Sequence, residues 1–167
     1  MFFELTGGTR VLIRHIEPGD KHLLEAGLAR LSEETIRKRF LAAKPRFSSA
    51  ELRYLTEVDG RRHAALVAVL ADDPELLIGV ARYVALPDAP HTAELAVVVG
   101  DRFQGQGLGR RLTELLADEA RANGIRRFAA TMLAENRAAM RLMRTFAARL
   151  EQSGHGPVRE YVGDLVA

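Results

Sequence analysis

Cysteine and tryptophan are absent from the 167 residues, and lysine is nearly so: 21 of the 24 basic side chains are arginine, leaving only Lys21, Lys38 and Lys44. Without cysteine there is no thiol nucleophile, no thiolate metal site and no disulfide framework, which sits most comfortably with a reducing cytosol. Without a lysine after Lys44, no later glycine loop can complete a P-loop, whose Gly-Lys-Ser/Thr ending reaches the phosphates. His15, His22, His63 and His155 show no paired ligand spacing, so no metal is expected. No window reaches the ~18 apolar residues that cross a bilayer. Met1 to Gly8 lacks a basic stretch leading into an apolar one, so the expectation is a cytoplasmic protein without a membrane partner. Basic and acidic residues alternate and never form a block of five or six, so nucleic acid is not an expected partner.

What is present suits a globular chain: 47% hydrophobic and 28% charged residues, with a net charge of +2. A chain of this length buries roughly two-thirds of its unfolded surface. With no long linker and no internal repeat, residues 1–167 read as one domain. The β-branched run Arg10 to Ile16 predicts a strand, and the leucine spacing from Lys21 to Leu31 a helix. Ser32 caps a second helix through Phe40, broken by Pro45, and Ser48 or Ser49 opens a third that closes near Asp59-Gly60. Ala64 to Leu70, Leu76 to Leu86 and Thr92 to Val99 are apolar runs joined by Asp/Pro turns, which predicts three antiparallel strands. A glycine loop then leads into a helix from Leu108 to Asn123-Gly124. The chain closes with a strand Arg126 to Leu133, a helix from Glu135 to about Leu150, and a strand Val158 to Val166.

The loop is the chemically informative segment. Gly105, Gly107 and Gly109 remove side chains where a strand turns into a helix, so several backbone N–H groups can converge on an anion. The helix N-terminus adds partial positive charge, and Arg110 and Arg111 add formal charge beside it. A dinucleotide fingerprint fails because position 110, where its third glycine belongs, is arginine, and because the preceding strands read as antiparallel.

Gln104-Gly105-Gln106-Gly107-Leu108-Gly109, between the strand Glu94 to Val99 and an amphipathic helix, resembles the Gln/Arg-x-x-Gly-x-Gly/Ala loop of the GNAT superfamily of acyl-CoA N-acyltransferases. Glu135-Asn136-Arg137-Ala138-Ala139-Met140 is similar to the family's next motif, an asparagine opening the helix after the fifth strand. A narrower likeness, to the acetyltransferase domain of bacterial protein lysine acetyltransferases, runs through Ser32 to Phe40, Glu51 to Asp59, Ala64 to Val69 and Ala93 to Val99. The resemblance implies an α/β (α+β) fold, with a central mixed, mostly antiparallel sheet of about six to seven strands flanked by helices on both faces. It implies acetyl-CoA as co-substrate, with Gln104, Gly105, Gln106, Gly107, Leu108, Gly109 and Arg110 around the pyrophosphate. Val97, Val98 and Val99 would offer backbone to the pantetheine arm, and Asn136 would approach that arm. The plain reading of Asn136 is a helix N-cap.

In that group the glutamate of the Ala-Glu pair is the proposed general base, which carries over to Glu94. A lysine amine of pKa ~10.4 lies ~3.4 units, or roughly 4.6 kcal/mol, from its free base at pH 7, so a carboxylate that attracts the ammonium and takes a proton assists attack on a thioester. Partial burial between Ala93 and Leu95 is expected to raise the Glu94 pKa. A backbone N–H near Val97 is expected to meet the thioester oxygen. Glu94 also reads as the wet residue of an alternating strand, and His91 is the competing base. Two features depart from the family. Met143 stands where many members carry a tyrosine that protonates the leaving thiolate, leaving Tyr161 as a remote substitute, and Ala147-Ala148 replaces the usual Gly-Phe. Arg37, Lys38 and Arg39 read as a solvated helix face or as a contact for an acidic patch on a protein. Three functions follow: N-acetyltransfer to a protein lysine, the same transfer to a small amine, and a non-catalytic acyl-CoA-sensing module. An unpaired sheet edge can support a homodimer.

Overall fold

The structure is a computed structural model that describes residues 1–166. Its chain runs β1 (Phe2–Glu4), β2 (Arg10–His15), α1 (Lys21–Arg30), α2 (Glu33–Phe40), α3 (Ser49–Thr56), β3 (His63–Leu70), β4 (Leu77–Leu86) and β5 (Ala89–Val99). It continues through α4 (Leu108–Ala122), β6 (Arg127–Leu133), α5 (Arg137–Phe146), β7 (Leu150–Ser153) and β8 (Val158–Asp164). The strands form one eight-stranded sheet in the order β1-β2-β3-β4-β5-β6-β8-β7, antiparallel at every junction except the parallel pair β5–β6. The mixed, mostly antiparallel sheet is as expected, with one strand more than the upper expectation.

Side-chain alternation along the strands divides the core into two layers. On one face, Leu108, Leu112 and Leu116 of α4 and Met143 and Phe146 of α5 pack on Ile13, Leu66, Ile78, Tyr83, Leu95 and Phe128. On the other, Leu23 and Leu24 of α1 and Leu52 of α3 pack on Val67, Val69 and Val80, with Val98 against them. Strand β5 therefore sends Leu95, Val97 and Val99 to the α4 side and Val98 to the α1 side, and its Glu94 shares the face of Val98.

Helix α2 ends at Phe40, as read, with the stop made by Leu41 in a left-handed conformation (φ 61°) ahead of Pro45. Two other helix boundaries depart from the sequence reading, each for a local reason. Helix α3 stops at Thr56, and the Asp59 carboxylate instead accepts the N–H groups of Arg61, Arg62 and His63 at 2.8–3.0 Å, forming the turn into β3. Helix α5 starts at Arg137 and ends at Phe146, because Ala147 is extended (φ −129°, ψ 118°) and turns the chain into β7. Gly163 of β8 makes room for that turn, since a Cβ there would collide with Ala147 and approach the Leu150 side chain to 2.8 Å. Strands β1 and β7 are short edge strands, of three and four residues, that carry no alternating apolar signal.

The junction of β5 and β6 positions the site. Strand β5 has eleven residues, yet it pairs with β6 only through Thr92, Ala93 and Glu94, opposite Arg127, Phe128 and Ala129. Past Glu94 the two strands part. On its other side β5 stays paired with β4 as far as Val99 opposite Gly79.

Candidate functional site

A strand that loses its neighbour exposes backbone N–H and C=O groups that must find another partner. From Leu95 to Val99, the β5 edge facing β6 is such a surface. A groove of about 670 Å³ opens there, walled by β5 and by Ala130, Thr131 and Met132 of β6 and covered by α2 and α5. Glu94 stands at the fork where the strands separate. Its carboxylate is exposed to the groove, not partly buried as expected, because the neighbouring Ala93 and Leu95 side chains point through the sheet into the opposite core layer.

The glycine loop closes the far end of the groove. Gly105 (φ +71°) and Gly107 (φ +90°) are both left-handed, a conformation in which a side chain is strained. Gly107 is the N-cap of α4, and its carbonyl accepts the Arg111 N–H at 3.0 Å. The N–H groups of Leu108, Gly109 and Arg110 precede that first helical bond and have no partner within the helix, so they are free for an anion. Gly109 packs its Cα near Val99 and Val97, where a Cβ would lie 3.6 Å from a Val99 methyl.

Side chains of the loop take different duties. Gln104 Nε2 donates to the Val99 carbonyl at 3.0 Å and to Thr35 Oγ1 at 3.2 Å, tying the loop to β5 and to α2. Gln106 Nε2 donates back to the Arg102 carbonyl at 3.1 Å, and its own carbonyl accepts from Thr6. Leu108 is buried in the core, so only its backbone is available. Arg110 is exposed at the groove and pairs with Glu114 at 2.8 Å. Asn136 also lines the groove. Its Oδ1 accepts the Ala139 N–H at 3.1 Å, so it is an N-cap whose amide nitrogen is left to point elsewhere.

Of the sequence-predicted residues, Glu94, Val97, Val98, Val99, Gln104, Gly105, Gly107, Gly109, Arg110 and Asn136 line one continuous groove, whereas the Gln106 and Leu108 side chains do not. His91 is outside it, at the start of β5, with Nδ1 3.0 Å from the Gly124 carbonyl. Tyr161 packs on the α4 side of the sheet, and the groove is lined instead by Met143.

Sequence reasoning missed the network that fixes α2 over the groove. Asp101 accepts the Ser32 hydroxyl at 2.6 Å, the Ser32 N–H at 3.0 Å and the Thr35 hydroxyl at 2.8 Å. Burial opposes its ionisation, but these donors outweigh it and hold the carboxyl below its ordinary value. At the other end of α2, Arg37 pairs with Glu135 at 2.8 Å across the groove. Both contacts join residues far apart in the chain, so no local pattern signals them. Lys38 pairs with Glu34, and Arg39 turns into the groove over the Phe40 ring, so the helix face expected to be solvated is divided between solvent and site. Among the described residues there is no metal-binding cluster and no helix long and apolar enough to cross a membrane.

This arrangement can bind an extended anionic ligand along a bare strand edge, with its phosphate at the α4 N-terminus and a carboxylate at the opposite end. The sequence pattern of the acetyltransferase (GNAT) family matches residues 22–147. Acetyltransferase PA5475 of Pseudomonas aeruginosa is 36% identical over 135 residues, covering 80% of this chain and 72% of its own. Acetyltransferase Pat of Mycolicibacterium smegmatis is 35% identical over 139 residues, 78% of this chain but only 39% of that longer protein. The GNAT domain of S. lividans PAT superposes with a TM-score of 0.86 at 28% identity, over 99% of this chain and 96% of that one.

Proposed function

The chain belongs to the acetyltransferase (GNAT) family and is an acyl-CoA N-acyltransferase, and from that premise we propose that it carries acetyl from acetyl-CoA to the side-chain amine of a protein lysine, with Glu94 as general base. The observation that carries the reading is the fork after Glu94: one carboxylate placed where a bare strand edge begins, and an anion cradle where that edge ends. Acetyl-CoA supplies the thioester.

The chain's own groups then divide the work. The unpartnered N–H groups of Leu108, Gly109 and Arg110 hold phosphate oxygens, with the α4 dipole behind them. The free polar groups of β5 from Leu95 to Val99 bind an amide-bearing arm as a strand would, and one of their N–H groups donates to the oxygen on which charge develops. Glu94 attracts the incoming ammonium and accepts its proton, directly or through a water, as the amine attacks. Met143 has no proton to give, so the departing thiolate draws its proton from solvent or from the acceptor side. The lysine acceptor is supported by the likeness to Pat and to the S. lividans PAT domain. This chain spans well under half of the M. smegmatis Pat, so that protein's full activity is not carried over with it.

Thiol release from acetyl-CoA, measured with a panel of folded proteins and of small amines, tests the proposal. Protein-dependent turnover that falls about 100-fold or more in Glu94→Gln, the usual scale for a general base, is the expected result. Turnover with free amines alone would replace the protein lysine with a small amine. Tight acetyl-CoA binding with no turnover on any acceptor would make the chain an acyl-CoA sensor.

A further inference from the structure

Two charged side chains are buried among the described residues, and only one of them has a counter-ion. Asp20 is matched by Arg14 through two 2.8 Å contacts. Arg82, 5% exposed in the middle of β4, meets no carboxylate: a single terminal nitrogen donates to the Leu55 carbonyl and to His63 Nε2, each at 2.9 Å. Its place relative to the fork is fixed by register. Arg82 is opposite Ala96 of β5, and Glu94 is two residues from Ala96 on the same face, a diagonal neighbour with Cα atoms roughly 7–8 Å apart.

Helix α2 brings a second arginine to the same patch. Arg39 lines the groove with its guanidinium 4.8 Å from the Phe40 ring centroid, and among the described residues it too has no acidic partner within ion-pair distance. Burial lowers the pKa of both arginines; Arg39 depresses that of Arg82 further, to about 10, while Glu94 partly restores that of Arg39. Burial and the adjacent Arg82 hold His63 at about 4, so it stays neutral, accepting from Arg82 without adding a third charge. One buried cation, Arg82, and one half-buried cation, Arg39, thus lie beside one exposed carboxylate. Such a positive excess is costly unless an anion joins it, and the planar guanidinium fork suits a carboxylate. That excess weakens the pull of Glu94 on a bare ammonium, whereas an amine that carries its own carboxylate would offset it.

Resting on the acetyltransferase reading above, we propose that Arg39, with Arg82 behind it, forms an anion subsite beside Glu94 that binds a carboxylate borne by the acceptor. The favoured acceptor is then an amine with a carboxylate close by. Either an acidic residue flanking the target lysine or the carboxylate of a free amino acid supplies that chemistry.

The test compares kcat/KM for a peptide whose lysine is flanked by Asp with the same peptide flanked by Asn, and for a free α-amino acid with its carboxamide. Wild type is expected to prefer the carboxylate member of at least one pair by about 10-fold or more, the range of a charge-assisted contact. Arg39→Gln should bring the members within about twofold of each other, with Arg39→Lys restoring part of the preference. A preference in the peptide pair identifies the source as a protein, and in the amino-acid pair as a small molecule. Equal rates within both pairs, with transfer intact, would overturn the subsite and leave the acetyltransferase reading standing. A readout without turnover separates the two further: millimolar glutarate should raise the melting temperature of wild type but not of Arg39→Gln. If no acceptor reacts, that shift still decides the subsite, and its absence refutes it.

Discussion

Gly107→Ala isolates the geometry of the anion cradle from everything around it. At φ +90° Gly107 is in the left-handed region, and a Cβ there would meet nothing nearer than a Phe3 ring carbon at 4.0 Å. The cost is therefore backbone strain without collision, about 1–2 kcal/mol for an L-residue in that conformation. The chain has two outlets for it. If the loop keeps its conformation, the whole cost falls on stability, and at ~2–4 °C per kcal/mol for a chain of this size the melting temperature drops by about 2–8 °C. If residue 107 relaxes to negative φ, the N–H groups of Leu108, Gly109 and Arg110 no longer converge. The same energy then appears as a roughly 5- to 30-fold weaker affinity for acetyl-CoA. Thermal melts and calorimetric titration on one preparation read both outlets. Gly107→Asn should recover much of the loss, since asparagine tolerates the left-handed region. A Gly107→Ala protein with unchanged melting temperature and unchanged acetyl-CoA affinity would refute this account of the loop.

Gly163→Ala should cost about 1–3 kcal/mol, because its Cβ must displace Ala147 and Leu150 where β7 leaves α5; a melting temperature within a degree or so of wild type would mean that corner is misplaced. An NMR titration of the His63 ring should give a pKa of about 4, lowered by burial and Arg82, while His22, hydrogen-bonded to Glu75, should titrate above its ordinary value. A depressed His63 pKa means the unfolded chain binds the extra proton. Its contribution to stability is present above the unfolded value of ~6.5 and is lost as pH falls through about 4. His63→Gln should flatten that part of the pH–stability curve, and an undiminished slope between those values would contradict the assignment. Asp101 has the same sign at lower pH: its carboxyl is held down by Ser32 and Thr35, so its contribution is present above ~3.9 and is lost on acidification below that. Asp101→Asn should therefore make urea midpoints less dependent on pH between roughly 5 and 3 and loosen α2 over the groove, and unchanged midpoints in that range would argue against the network.

The loop hexapeptide, the strand before it and the helix after it were legible because their signals are local: alternation, alternate glycines, and leucines at helical spacing. The same alternation reads Glu94 as the wet residue of its strand, and it is exposed, with Leu95 and Val97 on the opposite face. Local signals also misled. Glu94 was expected to be partly buried by its neighbours, but adjacent strand residues point to opposite faces, so Ala93 and Leu95 bury each other's side of the sheet and leave Glu94 open. The splay of β5 from β6, the Asp101–Ser32–Thr35 tie and the approach of Arg39 to Arg82 were illegible, because each depends on partners brought together by topology over dozens of residues. Strands β1 and β7 went unread because three or four residues at a sheet edge carry too little pattern to separate from a turn.

Amide hydrogen exchange with and without acetyl-CoA tests the central claim most directly. The account predicts new protection at two places, the Val97 and Val99 amides, which point away from β4 on the bare edge of β5, and the Leu108 to Arg110 amides at the start of α4, because those amides lack partners until the ligand supplies them. Saturating acetyl-CoA that protects neither segment, or protects a different surface, would contradict it.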